Sequence, residues 1–412
     1  MSSFAAILSQ LLAPEALAFP DPPPDAANGV APAPLLAERE EEASALDLSV
    51  GYTADTWRNA RGGRRKGWRY LDNLDVTLAV DAERALGWAG ASLFVYGLYN
   101  NGESLSDELV GDLQVVSNID AGTRAARLYE AWIEQRLAGD RLSLKAGLYD
   151  LNSEFDTTES GGLFLNSSHG IGPDFSQTGE NGPSIFPVTS LAFRAEYSLS
   201  ENLLLRTAVL DGVPGDPDRP RRTAVKLSSD DGALLVAELN YLDERAKVAV
   251  GSWRYTARFE DTLATAQAGE PVERKGNQGF YMLAERKLTR EHPDDTQGLS
   301  GWVRLGFADT RFNPIGRYVA GGLVYTGPFP GRDEDQAGLA LSRIRLGSRY
   351  RRAAALAGEA LGKGETNIEL TYRTSLTPWL TLQPNLQYVI SPGVVPGRRD
   401  ALVLGIRTEL GF

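Results

Sequence analysis

The chain reads as all-β, a sixteen-stranded antiparallel transmembrane β-barrel, and three observations predict it. Apolar and polar residues alternate with period two through most of residues 45–412. The alternating segments run about nine to thirteen residues, longer than the roughly five or six of a typical soluble strand and near what a tilted strand needs to cross a bilayer. Their polar faces hold charged residues repeatedly, as a wet interior would. Composition is compatible: 42% hydrophobic and 23% charged residues exclude a disordered chain, and 43 glycines without a G-X-Y period exclude collagen. No stretch approaches the roughly 18 consecutive apolar residues of a spanning helix, so any crossing is made by strands.

The beginning of the chain is different in character. Phe4 to Ala13 is a short apolar run, and Ala16-Leu17-Ala18 follows with a small-x-small cleavage pattern, so residues 1–18 read as a secretory signal peptide lacking its basic start. Residues 19–44 form a Pro/acidic linker, stiff around Pro20 to Asp25, with room for one or two helical turns between Leu35 and Ser44. Half of the net charge of −12 lies in the first 44 residues. The acidic balance of the whole chain argues against nucleic acid or anionic lipid as partners, since both are repelled by it. No cysteine and only two histidines exclude disulfides and make a metal site improbable, and no cofactor is expected.

From residue 45 the strands follow in order. Leu46, Leu48, Val50 and Tyr52 share one face of the first. In the second, Leu74, Val76, Leu78 and Val80 oppose Asn73, Asp75 and Thr77. A third spans 88–100 with aromatic residues on both faces, and a fourth spans 126–137. In the fifth, Leu142, Leu144, Ala146 and Leu148 oppose Ser143 and Lys145. Ten more lie near 191–197, 203–211, 235–241, 246–256, 278–288, 300–308, 318–326, 336–346, 368–372 and 380–388. The last, Leu402 to Phe412, sets its register by charge. A charged side chain on the lipid face costs roughly 2–4 kcal/mol at mid-depth, so Arg407 and Glu409 face inward and Ile406 and Phe412 face lipid. An even number of strands places both ends on the periplasmic side. Trp57, Trp379, Tyr52 and Tyr388 lie near strand ends, where interfacial aromatics sit.

The alternation stops between Asp150 and Pro187, in a stretch rich in Gly, Ser and Asn. A connection this long without its own elements is usually functional. It emerges on the outer side and is expected to fold inward and narrow the lumen, with Asn152, Glu154, Phe155, Asn166 and His169 as candidate constriction residues.

Several motifs carry a resemblance. They include Leu128-Tyr129-Glu130-Ala131-Trp132, the run Lys145 to Phe155, Asn181-Gly182-Pro183-Ser184-Ile185-Phe186-Pro187, Gly327-Pro328-Phe329-Pro330-Gly331-Arg332 and Leu382-Gln383-Pro384-Asn385-Leu386-Gln387-Tyr388. From about residue 50 onward the chain resembles the carbohydrate-selective outer-membrane porins of the OprB type. That resemblance implies a sixteen-stranded barrel in the outer membrane of a Gram-negative bacterium, sugar uptake, and an eyelet of basic and acidic side chains. The family's Gly-Asp-Trp-Gly-Gly-x-Arg opening is absent here.

A sugar offers hydroxyls that both donate and accept, so its constriction needs forked cationic donors and carboxylate acceptors together. Inward faces near the long connection supply both: Glu130, Trp132, Glu134 and Arg136; Lys145; Arg194 and Glu196. By resemblance, Arg64 or Arg65 joins the eyelet; otherwise the cluster Arg61 to Arg69 is a solvated turn facing lipopolysaccharide. Expected partners are small sugars, outer-membrane lipids and lipopolysaccharide, with no nucleic acid and with further copies of the chain left open. Two other readings remain: an anion- or phosphate-selective or general pore, and a barrel hydrolase built on Ser167-Ser168-His169.

Overall fold

In a computed structural model, the described residues are 44–102, 104–290 and 297–412. The expected signal peptide, the linker up to residue 43 and His292 lie outside them. Sixteen strands form the wall. The first eight are β1 (Leu46–Arg61), β2 (Gly67–Asp81), β3 (Ala91–Gly102), β4 (Ala125–Leu137), β5 (Leu142–Tyr149), β6 (Ser190–Ser200), β7 (Leu203–Asp211) and β8 (Ala233–Leu242). The rest are β9 (Ala246–Tyr255), β10 (Gln278–Lys287), β11 (Gly298–Ala308), β12 (Ile315–Thr326), β13 (Gln336–Leu346), β14 (Thr366–Thr377), β15 (Leu380–Ile390) and β16 (Ala401–Gly411). Each pairs antiparallel with its chain neighbour, and β1 also pairs with β16, so the sheet closes without an edge. Closure is what a sheet requires in lipid, where an open edge would leave backbone donors and acceptors unsatisfied.

The alternation turns the apolar set outward. Leu48, Leu239, Leu341 and Leu370 are exposed, while Asp55, Asn240, Arg304 and Glu369 on the opposite faces are buried. Arg407 faces inward and Ile406 outward, as the cost of a lipid-facing charge demands. At the seam between β1 and β16, Arg407 donates to both oxygens of Asp55, at 2.7 and 2.9 Å.

Two local expectations are corrected. The third strand begins at Ala91 rather than 88, because Asp81 caps a short helical turn, Ala82–Leu86, which Gly87 ends in a left-handed conformation. Trp57 is not interfacial: it is fully buried in the lumen, and its Nε1 donates to Asp55 at 3.1 Å. Gly405, its cross-strand partner, makes this possible, since a Cβ there would stand 2.1 Å from the indole ring. Trp379, in the β14–β15 turn, is half-exposed as expected of an interfacial residue.

The lumen is filled in large part by two connections. Residues 150–189 enter from the β5–β6 end as a series of short turns, at Leu151–Ser153, Ser160–Leu163, Ser167–His169 and Pro173–Ser176. Phe155, Phe164 and Phe175 are buried against the wall; Phe175 stacks on Trp253 at 5.2 Å with nearly parallel planes. Residues 104–124, between β3 and β4, enter beside them and were not singled out in the sequence. Ser117 donates to Asp55 at 2.7 Å, and Asn118 accepts from Arg407 at 2.7 Å.

Candidate functional site

Four adjacent strands and the first turn of the inserted segment build one ionic cluster. Period two aims Glu130, Trp132 and Glu134 inward from β4, Ser143, Lys145 and Tyr149 from β5, Arg194 and Glu196 from β6, and Arg206 from β7. The chain then turns after Tyr149 and brings Glu154 back over these side chains. Arg194 holds Glu154 with a forked pair of bonds, 2.7 and 2.8 Å, and reaches Glu134 at 3.1 Å. Lys145 donates to Glu154 at 2.7 Å and lies 4.0 Å from the centre of the Trp132 ring. Tyr149 donates to Glu154 at 2.7 Å. Arg206 donates to Glu196 at 2.7 Å and lies 3.8 Å from Glu238 on β8. Burial alone would raise the Glu154 carboxyl, but Lys145, Arg206 and Arg194 together hold it well below the usual carboxylate range.

The cluster is ordered yet accessible. Glu134, Glu154 and Glu196 keep 14%, 17% and 25% of their side-chain surface exposed, and Arg206 keeps 14%. A solute in the lumen therefore meets both carboxylate acceptors and guanidinium donors. Their signs are mixed closely enough that neither an anion nor a cation finds an uncompensated field.

Other candidate residues lie elsewhere. Glu130 braces the start of the inserted segment, accepting from Trp132 Nε1 and from the backbone N–H of Asp150, each at 3.1 Å. Arg136 is exposed near the β4–β5 turn, at the periplasmic mouth. Arg64 and Arg65 lie at the outer rim, where Arg64 donates to the Asp107 carbonyl at 2.6 Å and Arg65 pairs with Glu108 at 2.9 Å. Asn152 bonds within its own segment, to the Phe155 carbonyl at 3.1 Å. Phe155 is fully buried, with Arg206 5.7 Å from its ring centre. Asn166 donates to Gln387 on the wall at 3.1 Å.

His169 is buried between Phe164 and Trp302, and burial lowers its imidazole to about 3, so it is neutral. Ser168 Oγ bonds to Asn166 and Ser342, and Ser167 Oγ to the Ser117 carbonyl. Neither serine is hydrogen-bonded to the imidazole, so the relay a hydrolase needs is not formed.

The wall residues that fix the inserted segment were not legible as a set. A chain segment inside a barrel must find partners for its backbone groups. Carboxylates take the N–H groups: Glu238 from Asp156 at 2.8 Å, Glu285 from Glu159 and Ser160 at 2.9 and 2.8 Å, and Glu369 from Leu165 and Asn166 at 2.6 and 3.1 Å. Amides and other donors cover the carbonyls: Gln383 on Leu163, Lys247 on Thr157 and Tyr318 on Ser168, at 2.6–2.8 Å. In sequence these are merely polar residues of inward faces; their partners lie about 80 to 220 positions away.

Glu365, just ahead of β14, fixes the other inserted connection. Its carboxylate accepts from the N–H groups of Leu113 and Gln114 at 3.0 and 3.1 Å, and from Gly393 at 2.6 Å. Burial and the neighbouring Asp112 push Glu365 up to about 8, and burial raises Asp112 to about 6. The cations facing this pair are Arg398 and, beyond it, Arg64. A carboxyl raised on docking contributes stability that is complete below its ordinary value of 4.5 and lost as pH climbs to about 8. Docking of residues 104–124 is thus expected to loosen as pH rises, read as channel conductance increasing between about pH 4.5 and about pH 8 and level above that. Glu365→Gln should flatten that rise; an unchanged profile would contradict the assignment.

With the barrel and its inward ionic cluster established, comparison with known proteins is decisive. The model of the carbohydrate-selective porin, OprB family, matches residues 65–412. The chain belongs to the OprB family of carbohydrate-selective porins. Porin B of Pseudomonas aeruginosa is 26% identical to this OprB-family chain, covering 89% of it and 87% of the relative. The putative porin QuiX of Acinetobacter baylyi is 21% identical over 90% of the chain and 87% of its own length. The high-pH structure of Pseudomonas putida OprB superposes with a TM-score of 0.81 at 23% identity, covering 89% of this chain and 94% of that one, which shows the shared fold. As an OprB-family porin the chain is a channel and not an enzyme.

Proposed function

We propose that this porin passes small neutral sugars, glucose-like monosaccharides and oligosaccharides, passively across a Gram-negative outer membrane. The export signal in residues 1–18 and the barrel from residue 45 are parts of the same reading. The observation that carries it is the Lys145, Glu154, Arg194, Arg206 and Glu134 cluster beside the Trp132 ring. A pyranose has an equatorial fringe of hydroxyls. The hydroxyls exchange hydrogen bonds with the partly exposed carboxylates and Arg206; the Trp132 ring, covered by Lys145 at 4.0 Å and by the stacked Phe94 ring at 5.1 Å, holds the lysine in place beside them. No covalent step or energy source is involved: the solute must bind strongly enough to enter and weakly enough to leave.

Glu134, Glu154 and Glu196 among the cations argue against an anion- or phosphate-selective pore. Proteoliposome swelling tests the proposal. Isotonic glucose is expected to enter faster than a zwitterionic amino acid of comparable size. Equal rates would make this a general pore. Strong anion selectivity in the reversal potential would replace sugar passage with anion passage.

A further inference from the structure

The outer surface of β9 to β13 carries a row of residues that the pore does not use. Cross-strand register sets Ser252, Phe280, Phe307, Arg317 and Arg345 side by side on five consecutive strands. All five face outward. Phe280 and Phe307 stack at 4.7 Å, and lie near the outer ends of their strands, where an aromatic ring marks the membrane interface. Arg317 and Arg345 stand directly opposite each other at that same level. Like charges in such a pair repel, with Cβ atoms about 4.5–5.5 Å apart. Among the described residues no ion pair with a carboxylate joins either arginine, nor Arg343 one step nearer the bilayer centre, which donates to Thr366 at 2.7 Å. Arg254 adds a fourth outward cation two residues above Ser252 on β9.

Beside the arginines the wall is concave. A groove of about 640 Å³ runs over the small side chains of Ala237 and Ser252, between Leu235 and Phe280, with Arg254, Gln278 and Asp309 also in its lining; the Asp309 carboxylate is already paired with Arg311 at 2.6 Å. An apolar furrow facing lipid, with Arg254 in its lining and Arg317 and Arg345 on the neighbouring strands at headgroup depth, matches one ligand class. We propose that this face is a binding site for an acylated, multiply phosphorylated lipid of the outer leaflet, an acyl chain in the groove and phosphates on Arg254, Arg317 and Arg345. The site rests on reading the chain as an outer-membrane porin. A phosphate between Arg317 and Arg345 turns their repulsion into two charge-assisted contacts, which accounts for two cations held in register on a lipid-facing surface.

The test uses the detergent-solubilised porin, with a bisphosphorylated hexaacyl glucosamine disaccharide lipid, its dephosphorylated form and inorganic phosphate as probes, read by native mass spectrometry. The bisphosphorylated lipid is expected to bind, the other two not. R317Q/R345Q should weaken binding about five-fold per arginine removed. R58Q, outward on the far wall over Trp68, should not. R345Q alone should raise the thermal midpoint in lipid-free zwitterionic detergent, since it relieves the like-charge pair. Equal affinity of the double variant, equal binding of inorganic phosphate, or a change in the number of associated chains in place of lipid loss would each overturn the site. Sugar swelling by R317Q/R345Q separates this from the pore: intact flux with lost lipid binding isolates the surface site, whereas failure of wild-type sugar flux strikes the transport reading.

Discussion

Replacing Arg304 with methionine is expected to raise single-channel conductance and free the inserted segment, while the barrel stays folded. Arg304 projects from β11 into the lumen and donates to both oxygens of Asp156, at 2.7 and 2.6 Å, and to Asp174 at 2.6 Å. The rings of Tyr281 and Tyr318 lie 5.5 and 5.1 Å from its guanidinium carbon. Gly306 leaves room for Asp174, whose carboxylate would stand 2.1 Å from any Cβ added there. Removing the cation strands two buried carboxylates that share a site with Glu238, and breaking a buried pair in this way costs about 3–5 kcal/mol. The loss falls on the inserted segment, because the wall keeps its own hydrogen-bonded ladder on both sides of β11. Protease cleavage between residues 156 and 176 should accelerate with no change in strand content by circular dichroism. Arg304→Lys keeps the charge but not the fork and should fall between the two. Wild-type conductance and cleavage in Arg304→Met would show that the aromatic packing of Phe164 and Phe175 alone seats the segment.

The second large effect is expected from Glu154→Gln. This carboxylate is the common partner of Lys145, Tyr149 and Arg194 and lies 3.7 Å from Arg206, so the substitution keeps the shape and removes the charge on which the three cations Lys145, Arg194 and Arg206 converge. The cost to docking is roughly 3 kcal/mol, the low end for an unpaired buried charge. The larger consequence is electrostatic. Lys145, Arg194 and Arg206 then outweigh the remaining accessible carboxylates, Glu134 and Glu196, and the lumen becomes anion-attracting. The anion-to-cation permeability ratio from reversal potentials should rise severalfold, and glucose swelling should fall as an acceptor is lost. Because ionic strength screens exposed charge, the selectivity change should shrink in high salt. An unaltered permeability ratio would remove Glu154 from the conduction path.

Much of the wall was legible because bilayer physics leaves few choices. A charge on the lipid face is costly, so Arg407 and Glu409 set the register of β16 and, through Asp55, the seam with β1. The run Lys145 to Phe155 was legible as a unit for a local reason: Lys145, Tyr149 and Glu154 are near in sequence and meet again across one tight turn. Trp57 was misplaced because an aromatic near a strand end is ordinarily interfacial. The space for it inside is made by Gly405, nearly 350 residues away. The insertion of residues 104–124 had no local signal either. Its anchors, Asp55, Glu365 and Arg407, come from strands or rims distant in the chain, and a loop of that composition suits solvent equally well. Arg304, Glu238, Glu285 and Glu369 belong to the same class. Their inward orientation follows from alternation, but their function as clamps exists only once the segment they hold is placed against them.

The most direct test of sugar passage through the Glu154–Arg194 cluster is ion current through single channels as glucose is added. A sugar that binds in the lumen interrupts current, so the account predicts a saturable fall in conductance, with a half-saturating concentration that increases in Glu154→Gln. A decline that follows only the bulk conductivity of the solution, without saturation and identical in the variant, would contradict it.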